Sequence, residues 1–82
     1  NVAHLHGGDA EMVQLIANPG SPITKRPLHS IPDMAGRIMI SGVRTDGRWD
    51  IARGVTQIRE GDHVECVCSF DGLAELQRLF FA

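Results

Sequence analysis

The stretch Arg37-Ile38-Met39-Ile40-Ser41-Gly42-Val43-Arg44-Thr45-Asp46-Gly47-Arg48-Trp49-Asp50-Ile51-Ala52-Arg53 decides the fold. Its first arm is apolar at successive positions from Ile38 to Ile40, as a strand covered on both faces requires. Asp46-Gly47 is a two-residue turn pair: both central residues of a primed turn need positive φ, which Gly adopts freely and Asp tolerates. The chain then returns with Trp49 and Ile51 on one face and Asp50 and Ala52 on the other. The stretch is therefore a β-hairpin, and its first arm is the expected central strand of a sheet.

On the N-terminal side, Ala10 to Ala17 alternates Glu11, Val13 and Leu15 against Met12, Gln14 and Ile16, which predicts another strand. Asn18-Pro19-Gly20-Ser21-Pro22 ends it with turn-forming pairs and two residues that cannot donate to a ladder. Thr24 then stands where it can cap a short helix that carries Pro27 in its first turn, buries Leu28 and Ile31, and stops at Pro32.

On the C-terminal side, Gly54 to Arg59 reads as irregular, with Val55 and Ile58 turned inward. Glu60-Gly61-Asp62 turns the chain into a last strand, His63 to Phe70, on which Val64, Cys66, Cys68 and Phe70 share a face. Ser69 or Asp71 caps a closing helix whose Leu73, Leu76 and Phe80 recur at helical spacing beside Leu79, with Glu75 and Arg78 toward solvent. The order β-α-β-β-β-α predicts a small α+β domain with a mainly four-stranded sheet and two short helices. So thin a layer leaves Val13, Ile38 and Val67 short of cover, which predicts pairing as a dimer.

Eighty-two residues suit one domain, taken as 10–82, with 1–9 a linker or the end of a preceding element. Hydrophobic residues at 43% and charged ones at 22% match ordinary globular usage and disfavour a disordered chain. A formal net charge of −2 supplies no long-range attraction for a polyanion, so nucleic acid is not an expected partner. No apolar run suits a membrane span or a secretory leader. Cys66 and Cys68, two apart on a strand, are poorly placed to bridge and read as reduced core thiols of a cytosolic protein. Asn1 in place of an initiator Met, and an end at Phe80-Phe81-Ala82 directly after a helical pattern, read as a piece of a longer chain.

The chemistry-bearing residues give little support for catalysis. His4, His6 and Asp9 could offer ligands to a metal, but their Gly-rich surroundings lack a fixed scaffold and supporting hydrogen bonds, so no metal site is assigned. His29 and His63 stand alone, and Cys66 would have to ionise on a buried strand to act as a nucleophile. Gly7-Gly8 and Pro19-Gly20-Ser21 are too short and wrongly placed for a phosphate loop. The chain is therefore not expected to be an enzyme. Arg37, Arg44, Arg48, Arg53 and Arg59, against Asp46 and Asp50 among them, leave a local cationic excess. Such arginines could hold an anion or nucleotide in a guanidinium fork, or merely solvate the hairpin edges.

Four segments in order carry a family resemblance: Gly20 to Ile31 with its Ser21-Pro22, Arg37 to Gly47, Arg59-Glu60-Gly61-Asp62-His63-Val64, and Ser69-Phe70-Asp71-Gly72-Leu73-Ala74-Glu75-Leu76. Together, from about Ala10 to Phe80, they resemble the TrkA C-terminal (RCK C-terminal) domain family. The resemblance implies a cytoplasmic regulatory domain of potassium transport or of related ion transporters and antiporters. It would be peripheral to the inner membrane through a transporter partner or fusion. It further implies homodimers, ligand sensing at or near the pair, and a preceding Rossmann-like half that alone would hold a nucleotide; no cofactor is expected in this domain. One branch of the family binds a cyclic dinucleotide through an Asn-Ile pair opening the central strand and an Arg ending the preceding helix. The matching positions here are Arg37-Ile38 and the neighbourhood of Pro32-Asp33, and Trp49 stands where the family tends to place Val or Ile. The candidate ligand residues are accordingly Arg37, Ile38 and Arg44. The alternative is a purely structural assembly domain with no ligand of its own; a small metal- or thiol-dependent enzyme is the third and weakest reading.

Overall fold

The hairpin forms as its sequence dictates. Asp46 (φ 52°) and Gly47 (φ 82°) both take left-handed conformations, and Thr45 pairs with Arg48 to close a two-residue primed turn. The structure, a computed structural model, describes residues 2–5, 9–32, 34 and 36–81. Among these, five strands lie antiparallel in one sheet: Val2–Leu5 (β1), Ala10–Ile16 (β2), Ile38–Thr45 (β3), Arg48–Ile51 (β4) and His63–Ser69 (β5). Their spatial order is β1-β2-β5-β3-β4. One α-helix, Leu73–Phe81 (α1), follows β5 among the described residues. The α+β class is as expected.

Several details differ from the sequence expectation. Val2–Leu5, read as linker or the end of a preceding element, pairs with β2 as an edge strand. The centre of the sheet is β5, flanked by β2 and β3, rather than the first hairpin arm. The first helix is absent: two isolated 3-10 turns, Pro22–Thr24 and Leu28–Ser30, stand in its place. Pro27 explains this, because its ring drives the preceding residue out of helical conformation, and Pro27 itself is extended at ψ 153°. Thr24 is no N-cap; its hydroxyl donates back to the Ser21 carbonyl at 2.7 Å. Phe70, expected on the buried face of β5, begins a 3-10 turn and is exposed, as is Val55.

The core lies on one side of the sheet. Val64, Cys66 and Cys68 from β5, Val13 from β2 and Ile38 and Val43 from β3 meet Leu76, Leu79 and Phe80 of α1, all buried. Val13 and Ile38, expected to lack cover, are covered here. Ile23, Leu28 and Ile58 extend this core under the 3-10 turns. The turn segments are tied across by backbone bonds, Leu28 N to Thr56 O at 3.0 Å and His29 N to Gly54 O at 2.9 Å.

Candidate functional site

Among the described residues the opposite side of the sheet carries no helix, and strand alternation decides what it presents. Three cross-strand rows follow from the register. Met12, Val67 and Met39 form the first; Gln14, Glu65, Gly42 and Ile51 the second; Ile16, His63, Arg44 and Trp49 the third. Ile16, Met39, Trp49 and Ile51 on this face are 49%, 59%, 46% and 84% exposed. Large apolar side chains gathered on one open face are unusual for a domain that stays alone in water.

The middle row is polar at its centre. The Glu65 carboxylate accepts a hydrogen bond from Gln14 Nε2 at 3.3 Å, and Ser41 Oγ donates to the Glu65 backbone carbonyl at 3.0 Å with the carboxylate 3.4 Å away. Ser41 reaches it because the β3–β5 register shifts between Ile40 and Gly42, a bulge that inserts one residue into β3. At Gly42 a Cβ would lie 3.4 Å from Trp49 Cε3, so the indole rests against bare backbone there. Gln14, Ser41, Gly42, Trp49 and Glu65 thus line a shallow slot of about 350 Å³ whose mouth is shared with Asp50 and Ile51.

The predicted ligand residues separate into two places. Arg37 and Ile38 line a depression of about 280 Å³ with Gly36, Met39, Cys68 and Ser69 at the entry to β3. Arg44 lies at the other end of β3, about 20 Å away at strand rise, paired with His63 and Trp49. The expected set of three is therefore not one site. Ser69 donates its backbone N–H to Arg37 O at 2.8 Å, while its buried Oγ finds no hydrogen-bond partner among the described residues. Sequence reasoning considered Ser69 only as a cap; its place beside Arg37 follows from tertiary pairing.

The thiols are inert by environment. Burial first, then the neighbouring Cys68 and Glu65, pushes the Cys66 thiol up to about 12, and burial with Glu11 raises Cys68. Neither supplies a thiolate near neutral pH, and both are free. His6 lies outside the described residues, and among the described ones no group of three or more His, Cys, Asp or Glu is placed to hold a metal. No described helix is long and apolar enough to cross a membrane. Among known proteins, no family model matches the chain and no curated protein matches it.

Proposed function

We propose that the chain is a non-enzymatic, ligand-sensing and dimerising C-terminal regulatory domain of a TrkA-like potassium uptake regulator or related ion transporter. It works in the cytoplasm, against the cytoplasmic face of that transporter. The observation that carries the reading is the one-sided sheet: α1 covers one face, whereas Ile16, Met39, Trp49 and Ile51 crowd the other. Burying apolar area of this kind against a second copy supplies the driving force for pairing. The order of motifs from Ser21-Pro22 to the Leu-rich helix supports the family assignment.

The sensing half of the reading rests on the depression at Arg37, where a guanidinium, a buried Ser69 hydroxyl and the apolar walls of Ile38 and Met39 suit a small anion or nucleotide. Such a ligand moves a dimer only through unequal affinity for two of its arrangements. Thermal unfolding with added nucleotides, cyclic dinucleotides and cations tests this, since a ligand bound by the folded state raises apparent stability by mass action. Arg37→Ala should weaken the stabilising anion about tenfold, the scale of one charge-assisted contact, and Arg59→Ala on its exposed turn should not. If none of these ligands shifts the transition, the alternative, an assembly domain without its own ligand, replaces the sensing half.

A further inference from the structure

The open face holds a charge that the described residues leave without a cation. Glu65 sits at the centre of the middle row, held by Gln14 and Ser41 and bordered by Ile51 and the Trp49 ring. Among the described residues it makes no ion pair. Covering this face with an apolar surface would strand the carboxylate, a cost that a cation in the covering surface removes. The face itself carries such a cation one row away: Arg44, exposed, its side chain without a hydrogen bond or ion pair among the described residues. Acid in one row and base in the next make the face complementary to a copy of itself.

We infer that two copies of this chain pair face to face through this side of the sheet, Arg44 of each reaching the Glu65 carboxylate and the outer face of the Trp49 ring of the other. This rests on the dimer reading above and adds its surface and register. A two-fold axis crossing the strands between the second and third rows brings each third row over the other copy's second row, so the contact occurs twice. Arg44 then lies above Gly42, where the Trp49 ring resting on the bare backbone offers its outer face. The guanidinium finds a carboxylate already held by Gln14, with Ser41 beside it, and the outer face of an indole, the two groups that best recognise it in a drying interface. Ile51 and Ile16 border the contact and lose solvent with it.

Sedimentation velocity on the chain and its charge-reversed variants tests the register. Wild type should be dimeric at micromolar concentration, and Arg44→Glu and Glu65→Arg should each weaken the dimer by about thirtyfold or more, as breaking a desolvated charge pair does. Mixed in equimolar amounts, the two variants should associate again, because each then meets its opposite charge across the interface although each retains like charges within its own chain. Trp49, the single tryptophan, should shift its emission to the blue on association in wild type and in the mixture. Circular dichroism checks that the variants are folded. Where Glu65→Arg is not, Glu65→Gln replaces it and should make a following Arg44→Glu substitution markedly less harmful to pairing; additive losses would count against the contact. A monomeric wild type defeats both the dimer reading and this one. A dimeric wild type with equally dimeric variants, or a mixture that stays monomeric, defeats the register alone.

Discussion

At the scale of single residues, Asp62 shows how a short motif becomes structure. Its carboxylate Oδ2 accepts from the Arg59 backbone N–H at 3.0 Å, closing the turn that Gly61 makes possible with φ 82°. The same turn then bonds Ala17 in both directions, Ala17 N to Asp62 O at 3.0 Å and Gly61 N to Ala17 O at 2.8 Å, which fixes where β2 ends beside the start of β5. Asp62 is 7% exposed, so truncation removes a buried acceptor and leaves the part-buried Arg59 N–H without it. Asp62→Ala should cost about 1–3 kcal/mol in chemical denaturation, with Asp62→Asn losing less because the amide oxygen can still accept. This turn was legible, since Gly-Asp before an alternating strand has a mechanism attached to it. Phe70 was not: alternation along β5 runs through Cys68 and offers no local sign that the strand stops at Ser69 and turns Phe70 outward.

At the scale of elements, the legible parts were those whose signals are local. The Asp46-Gly47 hairpin and the Leu76, Leu79 and Phe80 face of α1 needed only turn chemistry and periodicity. The first helix failed because Thr24, Leu28 and Ile31 have helical spacing while Pro27 between them forbids the continuous backbone that spacing assumes. Strand order was equally hidden, since nothing in a strand's own sequence says which neighbours it takes. The junction of β5 with α1 depends on a close approach of this non-local kind. A Cβ at Gly72 would come 2.7 Å from the Arg37 carbonyl oxygen and 3.2 Å from Ile38 Cγ1, so the turn before α1 lies directly on the entry to β3. Gly72→Ala should therefore push α1 off the sheet and destabilise the fold by about 1–3 kcal/mol, as overpacking does. A thermal transition unchanged within error would show that this contact is slack. Gly72→Ala should also disturb the depression that Arg37 lines, and so reduce any anion binding there along with stability.

At the scale of the whole molecule, the candidate site was legible only in part: Arg37 and Ile38 remain neighbours because they adjoin in sequence, whereas Arg44 needed the sheet to show that it belongs with Glu65 and Trp49. The face that unites them is built from three separate strands, and no window of sequence contains it. The opposite face gives the molecule a distinct alkaline limit. Cys66 is fully buried and its thiol is pushed up to about 12 from an ordinary value of 9.0, mainly by loss of solvent. Below pH 9 both folded and unfolded chains keep that proton, and the shift has no effect on stability. Between pH 9 and about 12 the unfolded chain releases it while the folded chain retains it, so the unfolded state binds fewer protons and unfolding becomes easier as pH rises. The slope is about 1.4 kcal/mol per pH unit for one thiol in this window, and Cys68, shifted in the same direction, adds to it. The chain has no tyrosine to titrate over the same range. Denaturation midpoints measured from pH 7 to 10.5 should hold steady to about pH 9 and then fall. Cys66→Ala should start lower, from the volume it removes, yet fall less steeply; an equal slope in the variant would assign the alkaline loss to some other group.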